Sequence, residues 1–448
     1  MDGLGKVEKM RRALMRSNTR LLLSGVLVFQ LLAMALVAFK DETVSVQALV
    51  LVAFKDETVS VQALVLAAAL PLATLMVVNL MGKLWPVDRA ILILVLLLVS
   101  IGIITLSGIA RSEVTPRTQA IYAVAGLVAM FAGAAFVRAW KSWKKFAVPL
   151  AVLCLLALAS PWVLGSWYQG ARNWITIIPD VLTVQPSEFM KPVLVVVLAA
   201  GFANRPRFVR CLPAIGFAAA CCAILLSERD LGAVLLYFLT TVFMYYAATS
   251  NALLTLAGLG MGCVAAVIAY HAFPYVQDRI AIWINPWSDP QDAGYQLVQA
   301  LIAIGSGGLF GMGLGLGSPT NIPLYHSDFI FASMAEEFGL IFAVCVLAVY
   351  AIIVLRGLIV AMNARTSFHS LTAFGLVVLL GLQTMLIVGG NTKLLPLTGV
   401  TLPLISAGGS SLVSTMLSMG LLLGISSMNA EDEARDIEQL ALKEEVSL

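Results

Sequence analysis

The stretch LGAVLLYFLTTVFMYYAATSNALLTLAGLGMGCVAAVIAYHAFPYVQ, residues 231–277, runs for 47 residues without Asp, Glu, Lys or Arg. A helix crosses the hydrocarbon core of a bilayer in about 20 residues, so this run is too long for one crossing and long enough for two. The polar Thr249, Ser250 and Asn251 divide it. Apolar runs of the same kind lie on either side, at 21–39, 58–82, 90–110, 118–137, 146–165, 188–203, 211–226, 329–355, 367–390 and 404–428. Composition agrees, with 60% of the 448 residues apolar and 12% charged, against about 25% charged in a soluble domain. A soluble globular protein and a disordered chain are both excluded. The expected fold class is an all-α polytopic membrane protein of 12 transmembrane helices.

Basic residues are retained on the cytoplasmic side of a membrane. With the N-terminus inside, 19 of the 28 Lys and Arg fall in cytoplasmic segments and only 8 in outer loops. An even number of spans then places the C-terminus inside as well, with the largest outer loop between spans 9 and 10. The net charge of +3 reflects this topology and no nucleic-acid partner. The first apolar run is too long for a secretory signal and lacks a small-residue cleavage site, so it reads as a retained span. The six cysteines sit in or at the ends of apolar spans without metal-ligand spacing, which makes them packing residues.

The segment LVAFKDETVSVQALV occurs twice in succession, at 36–50 and 51–65. Two copies do not make a repeat architecture, and the piece between the two KDE clusters is too short to span, so 36–65 reads as a lengthened outer loop. The resulting organisation is a basic cytoplasmic segment (1–20), four N-terminal spans (21–145), a core of eight spans with an outer loop at 274–328 (146–428), and a mixed-charge cytoplasmic tail (429–448).

Long connections in a compact architecture tend to carry function. Two outer loops qualify, at 166–185 and 274–328. The second contains IGSGGLFGMGLGLGSP (304–319), whose glycines imitate a dinucleotide fingerprint with no strand before it. Close backbone packing or a re-entrant segment is the better reading.

Charges inside spans are costly and mark function by default. Glu188 and Lys191, three apart in QPSEFMK, share a helix face and can pair, either as part of a site or as a structural ion pair. Asp328, in YHSDFIFASMAEEFG, ends the large outer loop where the tenth span begins, as a reactive carboxylate or a helix cap. Glu336 and Glu337 follow two turns deeper, and Asp230 opens the eighth span in a capping position. His326 is the one histidine near this cluster, and without a second His or Cys at ligand spacing zinc is not expected. Outer-face carboxylates can hold Mg²⁺ or Mn²⁺, which suit diphosphate substrates, although no ligand set is legible.

The motifs GARNW (170–174), QPSEFMK (185–191), DLG (230–232), Arg279 with NPWSDPQDAGYQ (285–296), AIGSGGLFGMGLGLG (303–317), HSDFIFASMAEEFGL (326–340) and LPLISAGGSS (402–411) occur in one order. Together they resemble the SEDS proteins, the group that includes RodA, FtsW and SpoVE. The resemblance implies a peptidoglycan glycosyltransferase of the bacterial cytoplasmic membrane. Such an enzyme polymerises lipid II on the outer face, with a class B penicillin-binding protein as partner. It matches Asp328 to the family's essential acidic residue and Glu188 and Lys191 to its QPSE-x-x-K pair. Asn173, where many members have Arg, and Glu228-Arg229, where many have Gln-Pro or Glu-Pro, depart from the pattern.

Joining two sugars requires deprotonation of an acceptor hydroxyl and stabilisation of a departing diphosphate. Asp328 is the candidate general base. Lys191 and Arg279 are candidate cations for the diphosphate. The competing readings are a lipid II flippase or other transporter, and a non-catalytic scaffold for a penicillin-binding protein. A transport site would lie near the midplane, and a scaffold would tolerate Asn at position 328.

Overall fold

The computed structural model describes residues 18–33, 59–109, 116–139, 143–168, 171–178, 182–203 and 207–446. Residues 1–17 of the basic N-terminal segment and the first copy of the duplication lie outside the described residues. Helices follow the apolar runs: α1 (Asn18–Ala33), α2 (Val59–Leu84), α3 (Arg89–Ile109), α4 (Pro116–Ala139), α5 (Ala147–Ala159), α6 (Pro161–Leu164), α7 (Pro186–Phe202), α8 (Phe208–Ser227), α9 (Leu231–Thr249) and α10 (Ala252–Ala272). Five more complete the order: α11 (Pro274–Ile284), α12 (Tyr295–Gly307), α13 (Ile330–Met362), α14 (Ser367–Asn391) and α15 (Gly409–Val446). Among the described residues, nine helical segments are long and apolar enough to cross a membrane.

The 47-residue run divides where expected. Ser250 ends α9 in the left-handed region (φ 54°), and the Asn251 side chain accepts from the Leu254 N–H to start α10. No residue of α10 is fully buried, so most of its apolar surface faces outward. By contrast α3 is buried along most of its length and forms the centre of the bundle. The α4–α15 pair packs closely because glycines let the backbones approach. A Cβ on Gly420 would lie 2.2 Å from the Met130 carbonyl, and one on Gly133 would lie 3.0 Å from that of Leu417.

Three features differ from the sequence reading. The loop at 166–185 contains a three-stranded antiparallel sheet, β1 (Ser166–Tyr168), β2 (Ala171–Ile178) and β3 (Leu182–Val184), since the β-branched run Ile175–Ile178 pairs locally with Leu182–Val184. The long 274–328 segment carries two helices, α11 and α12. The second copy of the duplication is not all loop, because α2 begins at Val59.

The ends of the bundle differ chemically. At one end Asp88 caps α3 and pairs with Arg356 at 2.7 Å, Arg138 pairs with Glu431 at 2.6 Å, and Arg365 pairs with Asp432 and Asp436. The other end, about 30 Å away along the 21-residue α3, gathers the sheet, the start of α7, Asp230, α11, Asp328 and the connection between α14 and α15.

Candidate active site

The site is built from segments far apart in sequence. Helix α7 starts at Pro186, whose fixed φ and missing N–H suit a first helical position. That start sets Glu188 and Lys191 on one inward face. Both are buried, at 6% and 3% exposure. Lys191 Nζ donates to both Glu188 carboxylate oxygens at 2.7 Å and to Gln383 Oε1 at 3.0 Å. Those three bonds use all the donors of an ammonium. Lys191 is thus turned into the bundle, where it ties α7 to α14.

Asp230 does cap α9, accepting from the Ala233 N–H at 3.0 Å, and it does more. Its other oxygen accepts from Asn173 of β2 (3.0 Å), Gln185 (3.1 Å) and Ser187 (3.2 Å). It thus anchors the sheet and the QPSE turn to the start of α9. The departure at Asn173 is accommodated by this contact. Next to it, Glu228 is buried at 2% exposure. Burial and the neighbouring Asp230 charge push its carboxyl up to about 8. Arg229 sits in the left-handed region (φ 64°) with its guanidinium 5.5 Å from the Tyr275 ring, docking α11.

Asp328 lies in a turn just before α13. The N-cap of that helix is Phe329, with no side-chain capping bond, so the Asp328 carboxylate is not spent on a cap. Its backbone carbonyl accepts from Asn391 Nδ2 at 2.8 Å, while Asn391 Oδ1 accepts from the Ala332 N–H at 3.2 Å. Burial pushes the carboxyl up to about 6, against the pull of a Ser327 hydrogen bond and the Arg279 charge, with Asp230 adding to the rise. Arg279 Nη1 donates to the Leu397 carbonyl at 2.7 Å, and Trp283 Nε1 donates to that of Lys393 at 3.1 Å. His326 packs edge-on against Tyr325, and its backbone carbonyl accepts from the Ala407 N–H at 2.9 Å.

Glu336 and Glu337 serve the glycine-rich loop. Glu336 Oε1 accepts from the Ser318 N–H at 3.0 Å, Glu337 accepts from the Gly315 N–H, and their carbonyls accept from Met312 (2.9 Å) and Gly313 (3.0 Å). Helix α13 breaks at Gly339 (φ 86°), where a Cβ would lie 2.4 Å from the Gly311 nitrogen. The loop is close backbone packing against this break, and the two glutamates sit under it, away from Asp328.

The structure therefore brings Asp328, Arg279 and Asp230 to one end, with His326 beside them, and sets Glu188 and Lys191 beneath. Sequence reasoning missed Gln383, Asn391 and Gln185. The first two are polar residues inside the apolar run 367–390 and its end, and the rule that flagged charges in spans would have found them had it been extended to amides. Among the described residues no group of three His, Cys, Asp or Glu could hold a metal ion. A divalent cation carried by a diphosphate needs only one or two protein carboxylates, and no step is derived through one.

Residues 84–431 match the family described as cell cycle protein, FtsW/RodA/SpoVE. The chain belongs to that family. The match includes α3 and α4, and it begins where α2 ends. Among the family's curated members, stage V sporulation protein E of Bacillus subtilis is 32% identical over 76% of this chain and 96% of its own length. The probable peptidoglycan glycosyltransferase FtsW of Geobacter metallireducens is 36% identical over 69% and 84%. The nearby solved folds include a chain of a peptidoglycan synthase complex that coordinates polymerisation and crosslinking (TM-score 0.67, 28% identity, 77% of this chain and 98% of that one). RodA of Thermus thermophilus is also similar (TM-score 0.57, 28% identity, 76% and 96%). The fold and family make the chain a multi-pass bacterial membrane protein.

Proposed function

We propose that this protein is a peptidoglycan glycosyltransferase that polymerises lipid II at the outer face of the cytoplasmic membrane, with Asp328 as general base. The observation that carries the chemistry is the Asp328 carboxyl at the head of α13, raised to about 6 by burial and facing the Arg279 charge. A base poised near the working pH combines a large ionised fraction with useful proton affinity. Asp328 takes the proton of the acceptor's sugar hydroxyl as that oxygen attacks the anomeric carbon of the donor. Displacement with inversion turns an α-linked donor into a β-linked chain, and Arg279 stabilises the departing diphosphate. Glu188 and Lys191 hold the scaffold under the base.

Asp328, Arg279 and Asp230 lie together at one end of the bundle, as a site for a lipid-anchored substrate at the membrane surface requires. A transporter would place them near the midplane. The partner in this reading is a class B penicillin-binding protein, which crosslinks the strands as they form.

The test is glycan-chain formation from purified lipid II in detergent, with and without that partner, comparing wild type with Asp328→Ala and Asp328→Asn. Polymer from wild type alone, with both variants folded, supports the reading. Lipid II movement across liposomes without polymer would replace it with transport, no polymer and no movement would leave a scaffold, and a polymer-forming Asp328→Asn would remove Asp328 as the general base. Adding EDTA and restoring Mg²⁺ or Mn²⁺ in the same assay tests the divalent-cation expectation.

A further inference from the structure

The Glu188–Lys191 pair has a third member that the proposed chemistry does not use. Gln383 lies within α14 at 2% exposure. Its Oε1 accepts from Lys191 at 3.0 Å, and its Nε2 donates to the Thr401 carbonyl at 2.9 Å. An ammonium only donates and a carbonyl only accepts, so these two partners require a carboxamide and fix which way it faces. The Thr401 hydroxyl in turn bonds Ser411 at the head of α15 (2.7 Å).

Thr401 closes a short segment, 397–401, that is pinned at both ends. Arg279 holds the Leu397 carbonyl at 2.7 Å, and Gln383 holds that of Thr401. Between the pins, Gly399 adopts φ 71°, and a Cβ on it would lie 3.7 Å from Asp328 Oδ2. The segment is thus the wall against which the carboxylate lies, and Gln383 joins the Lys191 ammonium directly to that wall. Other charged or titratable groups facing Asp328 are Arg279 from α11 and Asp230 from the start of α9, with His326 two residues before it.

Resting on the polymerase reading, we propose that Gln383 is a positioning residue. It carries the register of the Glu188–Lys191 pair to the 397–401 wall and so sets how Asp328 meets the acceptor hydroxyl. A merely structural amide would contribute to folding and nothing else.

The test compares wild type with Gln383→Met, which keeps the volume and removes both bonds, and Gln383→Glu, which keeps the acceptor for Lys191 and removes the donor for Thr401. Lipid II turnover is measured alongside the Asp328 titration, followed by NMR of carboxyl-labelled aspartate and assigned with Asp328→Asn. The titration needs no substrate, so it decides the inference even if wild type makes no polymer. Turnover at saturating lipid II should fall about 10- to 100-fold in both variants with KM unchanged, because misplacement by about 1 Å costs this much. The Asp328 midpoint should drop toward the ordinary carboxylate range as the loosened wall admits water. An unchanged midpoint in folded variants overturns the inference. So does an active enzyme whose turnover falls only in proportion to its folded fraction.

Discussion

Removing one member of the Glu188–Lys191 pair should cost far more than removing both. The two charges meet at 2.7 Å, which at an effective dielectric of about 20 corresponds to an attraction of about 6 kcal/mol. Desolvating two ions costs several kcal/mol each, so the pair contributes a net stability near zero. Truncating one partner keeps the desolvation of the survivor and discards the attraction, a loss of about 3–5 kcal/mol. Lys191→Met or Glu188→Leu alone should therefore lower the melting temperature in detergent by several degrees and reduce yield. The double variant Glu188→Leu/Lys191→Met should regain most of that stability. It should stay inactive, because Gln383 then has no ammonium to hold its carboxamide. Melting is read by tryptophan fluorescence and activity by glycan-chain formation. Single variants that melt like wild type, or a double variant as unstable as either single, would refute the reasoning.

Three further outcomes are expected. Asp328 acts ionised and carries a carboxyl raised to about 6, so turnover should climb as pH rises through about 6 and level off above it, and a flat profile across that range would count against its role as base. Glu228, raised to about 8 in the folded chain, binds its proton more tightly folded than unfolded. Its stabilising effect is complete below its ordinary carboxylate range and is lost as pH rises toward 8, so Glu228→Gln should flatten the fall in melting temperature across that window. Gly339→Ala places a Cβ 2.4 Å from the Gly311 nitrogen and the Leu309 carbonyl in a left-handed backbone, and it should abolish accumulation of folded protein, whereas Gly258→Ala, with open space around it, should be neutral by expression and size-exclusion profile.

Much of the fold was legible because a bilayer imposes a constraint along one dimension. The break at Ser250 and Asn251 could be placed from hydropathy alone, since polar residues interrupt an apolar run only where the chain leaves the hydrocarbon. Asp328 and Asp230 were legible as charges at span ends. The role of Lys191 was not, because spacing shows that it can reach Glu188 and says nothing of Gln383, 192 residues away. The sheet at 166–184 escaped notice because three short strands in a loop bury too little to leave a strong pattern.

The amino-acid sequence by itself determined that this chain lives in a membrane, where its helices run, and which acidic and basic residues deserve scrutiny. Transfer of each segment from water to lipid is a property of that segment alone. Only the tertiary structure decided that Lys191 faces inward with every donor used, that Glu336 and Glu337 hold a glycine loop, and that Gln383 joins the ion pair to the wall beside Asp328. A hydrogen bond needs its two atoms within about 3 Å and correctly aimed, and that condition is met only when helices distant in sequence pack.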